Sequence, residues 1–325
     1  MQGLKAASLM MAIVVGTAGS TAAQVYPSRP VSLVVPYAAG GGADTVARIV
    51  AERMRASLGQ AVIVENAPGA SGSLGVGRVA RAAPDGYTLI EGNWSTHVAN
   101  GVIYSLRYDV QNDFEPIALI ANSPLLIGGR KGLPANNLKE LITWLKANPE
   151  RATEGTNGPG SIMHVAGLFL QHKTGTRFQF VPFRGGGAVI PEMLAGRIDL
   201  SMSLPPDLLP QIRAGNIKAY AVTGQNRLEA APDIPTVDEA GVPGLYASAW
   251  MGLWSPKNTP KVINATLNAA VVDALADPAV RRKLADIGME VPGREQQSPE
   301  MLKAFQKSEI DKWWPLIKQA DIKPE

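Results

Sequence analysis

The stretch Val31-Ser32-Leu33-Val34-Val35-Pro36-Tyr37-Ala38-Ala39-Gly40-Gly41-Gly42-Ala43-Asp44-Thr45-Val46-Ala47-Arg48 passes from strand to glycine turn to helix without a spare residue. The first five residues are an apolar, β-branched run, which Pro36 and three glycines interrupt. Val46, Val50, Met54 and Leu58 then recur at i, i+4 and lay one apolar stripe on a helix that starts near Asp44 and stops at Gly59.

Outward from this unit the pattern recurs. Val62-Ile63-Val64, Thr88-Leu89-Ile90 and residues 117–120 read as strands, and a second block repeats the alternation. Its strands are Leu125-Leu126-Ile127, Glu154-Gly155-Thr156, residues 178–181, 198–202 and 219–222, and Gly252-Leu253-Trp254. Helical stripes run through Leu138, Leu141 and Leu145, through Val165, Leu168 and Phe169, over residues 188–195, through Ile263, Leu267, Val271 and Leu275, and over about 301–318. Near-continuous apolar strands alternating with helices predict an α/β protein with mixed, mostly parallel sheets covered by helices.

Composition narrows the function. The chain has 325 residues, of which 46% are apolar, so it is long enough for two domains with packed cores. A net charge of +3 is too weak for a nucleic-acid footprint. The absence of Cys excludes disulfides, thiolate metal sites and a Cys nucleophile. Lys5, the apolar run over residues 6–16 and Thr21-Ala22-Ala23 read as an export leader over residues 1–23, too short in its apolar part to span a bilayer.

Three glycine-rich turns each follow a strand and open a helix: Gly40-Gly41-Gly42, Asn157-Gly158-Pro159-Gly160 and Gly185-Gly186-Gly187. In a parallel sheet such turns share the carboxyl edge, where ligands bind. Amides of a first helical turn have no helical partner and sit at the positive dipole end, so they attract carboxylate or phosphate. Asp44 and Ser161 read as helix-start residues, Asp44 with a minor orienting role. Arg184 offers the competing possibility of a side-chain ion pair.

Enzyme motifs are sparse. There is no phosphate-loop motif and no Gly-x-Ser-x-Gly elbow. Gly75-Val76-Gly77-Arg78-Val79-Ala80 matches a dinucleotide fingerprint but starts about ten residues after its strand, where the mechanism needs an immediate turn. His97, His164 and His172 form no metal-ligand spacing. The one competing enzyme reading is an exported α/β hydrolase acting on a carboxylate ester through Ser161 and His164, three apart on one helix but with no third group to orient the imidazole.

The Tyr26-Pro27-Ser28-Arg29-Pro30 start, the run from Pro36 to Arg48, Val64-Glu65-Asn66-Ala67-Pro68-Gly69-Ala70-Ser71-Gly72 and Ala83-Pro84-Asp85-Gly86-Tyr87 together carry a resemblance. So do Gly158-Pro159-Gly160-Ser161-Ile162-Met163-His164, Val181-Pro182-Phe183-Arg184-Gly185-Gly186-Gly187 and Ala231-Pro232-Asp233-Ile234-Pro235-Thr236. Over almost the whole chain beyond the leader, the sequence resembles the tripartite tricarboxylate transporter receptors, the TctC-like or Bug periplasmic solute-binding proteins.

The resemblance implies a two-lobe periplasmic-binding-protein fold, type II-like, with a hinge between lobes. One lobe would comprise residues 24–123 and 251–325, the other 124–250. A ligand carboxylate would be held by amides, hydroxyls and bridging waters from residues 37–44 and 156–161. Tyr37 stands where Phe is usual in the family and Ala39 where Pro is usual. The expected ligand set is Tyr37, Ala39, Gly40, Gly41, Gly42, Asp44, Ser95, Thr96, His97, Thr156, Asn157, Gly158, Ser161, His164, Gly185, Gly186, Gly187 and Asp207. The expected function is non-catalytic: a periplasmic monomer, without cofactor or metal, passes a small carboxylate to membrane transporter subunits. A citrate-like acid, an amino acid, an aromatic dicarboxylate and a neutral vitamin all stay open as ligands.

Overall fold

The computed structural model describes residues 26–322 apart from 38, 184 and 185. The leader read over 1–23 therefore lies outside the described residues, as do Ala38, Arg184 and Gly185. In chain order the elements are β1 (Val31–Val35), α1 (Gly42–Leu58), β2 (Val62–Asn66), α2 (Ser73–Ala80), β3 (Thr88–Asn93), α3 (Asn100–Ile103), β4 (Phe114–Pro124) and β5 (Leu126–Arg130). There follow α4 (Leu138–Ala147), β6 (Thr153–Thr156), α5 (Ile162–Thr174), β7 (Gln179–Pro182), α6 (Gly186–Leu194), β8 (Leu200–Ser203), α7 (Pro205–Arg213) and β9 (Ile217–Val222). The chain ends with β10 (Ser248–Pro256), α8 (Lys261–Ala276), α9 (Pro278–Asp286) and α10 (Pro299–Gln319).

The strands form two five-stranded sheets, ordered β2-β1-β3-β10-β4 and β7-β6-β8-β5-β9. In the first, β10 runs antiparallel to both neighbours while β1 pairs parallel with β2 and β3; in the second, β5 is the reversed strand and β6 pairs parallel with β7 and β8. Four strands of each sheet thus share one direction. The two sheets also have the same layout, with β1 matching β6, β2 matching β7 and β3 matching β8.

This topology decides which edges meet. β4 leaves the first sheet at its carboxyl edge, and after the single residue Leu125 the chain enters β5, whose start lies opposite the end of β8. The return path enters β10 at Ser248, paired with Pro124 at the end of β4. Both crossings therefore join one carboxyl edge to the other, and the turns at these edges face each other. Direct contacts agree. A Cβ built on Gly160, before α5, would lie 2.6 Å from Ile103 Cδ1 of α3, and one on Gly288, after α9, would lie 2.8 Å from Pro206 Cδ of α7.

Helices cover the sheets as the stripes predict. Val46, Val50, Met54 and Leu58 of α1 pack with Leu267, Val271 and Leu275 of α8 over the first sheet. α10 reaches both halves: Trp313 packs edge-on against Trp94, after β3, and against Phe169 of α5. α7 and α9 carry no clean apolar stripe to read; each opens on proline, a favoured first helical residue. Gly75 and Gly77 lie inside α2. Gly75 lets that helix approach the Ala67 carbonyl, where a Cβ would sit at 2.7 Å, so the dinucleotide-like spacing is a packing feature.

Candidate functional site

The matching layouts pair the edge turns: the one after β1 with the one after β6, the one after β2 with the one after β7, and the one after β3 with the one after β8. The turns after β1, β6 and β7 carry the three glycine runs, and those after β3 and β8 carry Ser95-Thr96-His97 and Asp207.

In the turn after β1, Gly41 is the N-cap of α1, extended and without a side chain to cap the helix. The first-turn amides of Gly42 and Ala43 therefore have no capping side chain. Gly40 has φ +84°, a conformation that favours glycine. Asp44 lies in the first turn and does not cap it. Its carboxylate accepts from Gly40 N–H at 2.9 Å, from Asn66 Nδ2 at 2.9 Å and from the Arg48 guanidinium at 2.9 Å. Arg48 holds the Asp44 pKa down to about 2. Asp44 is thus committed to shaping the turn. Asn66, at the end of β2, also donates to the Tyr37 carbonyl at 3.0 Å and accepts from Arg48 at 3.1 Å. The strand ending Val64-Glu65-Asn66 was legible, but the reach of that side chain across to β1 was not.

Tyr37 is half-buried, and its hydroxyl donates to Asn93 Oδ1 at 3.1 Å. Burial raises its pKa, with the nearby Glu91 carboxyl adding to the effect. Asn93 Oδ1 also accepts from Thr96 N–H at 3.2 Å, and the Thr96 hydroxyl meets His97 Nδ1 at 3.0 Å. Ser95 is half-buried, whereas Thr96 and His97 have no exposed surface. The His97 ring stacks on Trp254 at 4.1 Å, and burial lowers its pKa to about 3, which keeps the imidazole neutral. Thr96 and His97 are thus buried and hydrogen-bonded within the turn after β3.

The turn after β2 holds none of the expected ligand residues. Ala70 and Ser71 have φ of +46° and +51° between two positive-φ glycines, a costly backbone for residues with a Cβ. Asn100 Nδ2 pins it by donating to the Ser71 carbonyl at 2.9 Å, and Ser71 Oγ meets Tyr104 OH at 2.8 Å. A Cβ on Gly72 would lie 2.7 Å from Thr96 and 3.3 Å from Pro36, so the three turns of this edge touch.

Across the gap, Ser161 caps α5, accepting from His164 N–H at 3.3 Å. Two glycine amides of the preceding turn are used internally: Gly158 N–H donates to Thr156 Oγ1 and Gly160 N–H to His164 Nδ1, both at 3.2 Å. Ile162 and Met163 provide the next amides of the first turn. Asn157 is exposed, while Gly186 and Gly187 open α6. His164 packs edge-on against Phe180, and burial lowers its pKa to about 4. Because the Ser161 hydroxyl engages the His164 amide and the imidazole engages Gly160, the hydrolase pair is not assembled. Asp207, in the first turn of α7, accepts from Ser203 Oγ at 2.5 Å. Among the described residues, no group of three or more His, Asp and Glu is placed to hold a metal ion.

Comparison with known proteins fits this architecture. Residues 46–322 match the model described as tripartite tricarboxylate transporter family receptor. A protein of Agrobacterium vitis from the TAR-I ttuE-ttuC' intergenic region is 39% identical over 91% of this chain and 85% of its own length. Among solved structures, MatC of Rhodopseudomonas palustris with bound malate is 38% identical with a TM-score of 0.76, covering 90% of this chain and all of its own. Rpa4515 of R. palustris with adipate is 33% identical with a TM-score of 0.79, covering 92% of this chain and all of its own. The chain belongs to the tripartite tricarboxylate transporter receptor family, whose members are periplasmic solute-binding proteins rather than enzymes.

Proposed function

We propose that this chain captures a small organic carboxylate between its two sheets and delivers it to a membrane transporter. One observation carries the reading: helix-opening turns with free first-turn amides, at Gly42-Ala43 on one sheet and Ile162-Met163 on the other, lie at the carboxyl edges that both chain crossings join. Opposed amide ends attract an anion, and closing them over it removes water and strengthens each contact. Relatives with malate and adipate bound supply the ligand class.

In this reading one lobe is residues 24–123 with 251–325 and the other 124–250, hinged where the chain crosses near 121–125 and 248–254. The pocket draws on Tyr37, Ala39 to Gly42, Ser95, Thr156 to Gly158, Ser161, the 185–187 turn and Asp207. Asp44, Thr96, His97 and His164 brace it. Residues 1–23 direct export, and the mature protein works as a periplasmic monomer.

A thermal-shift screen of the mature chain against mono-, di- and tricarboxylates tests the proposal, since a specific ligand raises the melting temperature by mass action. The expected result is a concentration-dependent rise with at least one acid class. A flat response across the series at millimolar concentration overturns it.

A further inference from the structure

The turn after β8 differs chemically from the other helix-opening turns of this edge. α7 begins Pro205-Pro206-Asp207, so its first two helical positions have no N–H. Two of the amides that would draw an anion there are absent, and the Asp207 amide donates to the Leu204 carbonyl at 3.0 Å. Asp207 accepts only from Ser203 Oγ, through Oδ2 at 2.5 Å, and among the described residues it has no Lys, Arg or His partner. It is half-buried, and burial raises its pKa while the Ser203 bond pulls it back. Its Oδ1 is left with acceptor capacity.

Asp207 also stands in the right place. The Ser203 hydroxyl that it holds lies 3.9 Å from Met163 Sδ in the first turn of α5, and neighbouring Pro206 approaches Gly288 of the opposite half. The acid is thus linked through Ser203 to a residue of the first turn of α5, and its neighbour Pro206 lies where the two halves meet. A carboxylate with no basic partner among the described residues opposes a plain anion and favours a hydrogen-bond donor.

Resting on the carboxylate-binding reading, we infer that Asp207 is a specificity residue that selects acids bearing a hydroxyl or ammonium donor near a carboxylate. The amide turns hold the carboxylate and Asp207 accepts from the donor. Unsubstituted diacids meet the same amides but leave Asp207 desolvated and unpaired.

Calorimetry on the mature chain with matched C4 and C5 acids tests this: succinate against 2-hydroxysuccinate and 2-aminosuccinate, and glutarate against its 2-hydroxy and 2-amino derivatives. In the wild type at least one substituted acid should bind about tenfold or more tighter than its parent, the scale of a lost bond to a charged acceptor. Asp207→Asn keeps the side chain's shape and a partner for Ser203, and Asp207→Ser serves as a second variant. Either should bring that ratio to within about threefold while binding of the parent acid is kept or improved. Equal affinity for parents and substituted acids in the wild type, or a ratio unchanged in both variants, overturns the inference and leaves carboxylate binding intact. Failure of every acid to bind overturns the carboxylate reading and this inference together.

Discussion

The Thr223 hydroxyl donates to the Ala247 carbonyl at 2.6 Å, joining the two segments by which the chain passes between its sheets. The same oxygen accepts from Leu125 N–H at 2.9 Å, and the Thr223 amide donates to the Leu125 carbonyl at 2.8 Å. Thr223 is buried, so no water replaces these partners. Thr223→Val keeps the shape and leaves the Ala247 carbonyl only its longer bond from Leu125 N–H, at 3.3 Å. A loss of about 0.5–1.5 kcal/mol is expected, the net worth of a buried hydrogen bond, read by urea denaturation. A change below about 0.5 kcal/mol, the range of an ordinary surface substitution, would show that the clasp contributes little.

The turn after β1 separates two roles of glycine. Gly40 has φ +84°, whereas Gly42 is helical with open space where a Cβ would go. Gly40→Ala should therefore cost about 1 kcal/mol or more of stability through backbone strain and lower the melting temperature. Gly42→Ala should leave stability unchanged or slightly raised and still weaken carboxylate binding, because the methyl group stands beside the amide offered to the ligand. Paired thermal melts and calorimetry read both. Equal behaviour of the two variants would remove the distinction.

Asn66 offers a test of long-range positioning. Its amide ties the Tyr37 carbonyl to the Asp44 carboxylate across two strands. Asn66→Leu should release the turn after β1 and reduce carboxylate affinity about tenfold or more, with an effect on stability of about 1–3 kcal/mol. Affinity unchanged in a folded Asn66→Leu protein would show that the turn holds its shape without this bridge.

The strand-turn-helix units were legible because apolar runs, glycine breaks and i, i+4 stripes are local. The stripe Val46, Val50, Met54 and Leu58 is buried as read. The reversed strands β5 and β10 were not distinguishable, because Leu126-Ile127 and Leu253-Trp254 look the same in either direction and only the crossings fix their sense. In the candidate site, glycine marked the turns whose backbone needs it. Asn66, Asn93 and the strained Ala70-Ser71 pair were hidden because their importance lies in contacts with residues 18 or more positions away or in dihedral angles that ordinary side chains conceal.

Glu91 gives the fold a pH dependence. It lies on β3 opposite Leu253, fully buried, and neither carboxyl oxygen has a hydrogen-bond partner among the described residues. Burial raises its pKa from 4.5 to about 8, so the folded state keeps the proton that the unfolded chain releases. The folded form then binds more protons than the unfolded one, and stability falls as pH rises through the window from about 4.5 to about 8. His164 and His97, with pKa values lowered to about 4 and about 3, act in the opposite sense: they cost stability as pH falls below the unfolded value of 6.5. Glu91→Gln isolates the first effect, since it keeps size and polarity and removes the titration. Melting curves of the two proteins should differ by a constant amount below pH 4.5. Above it, the variant should gain on the wild type until about pH 8, by several degrees for a chain of this size. Parallel curves across that range would mean that Glu91 is charged in the fold, with a partner able to carry it.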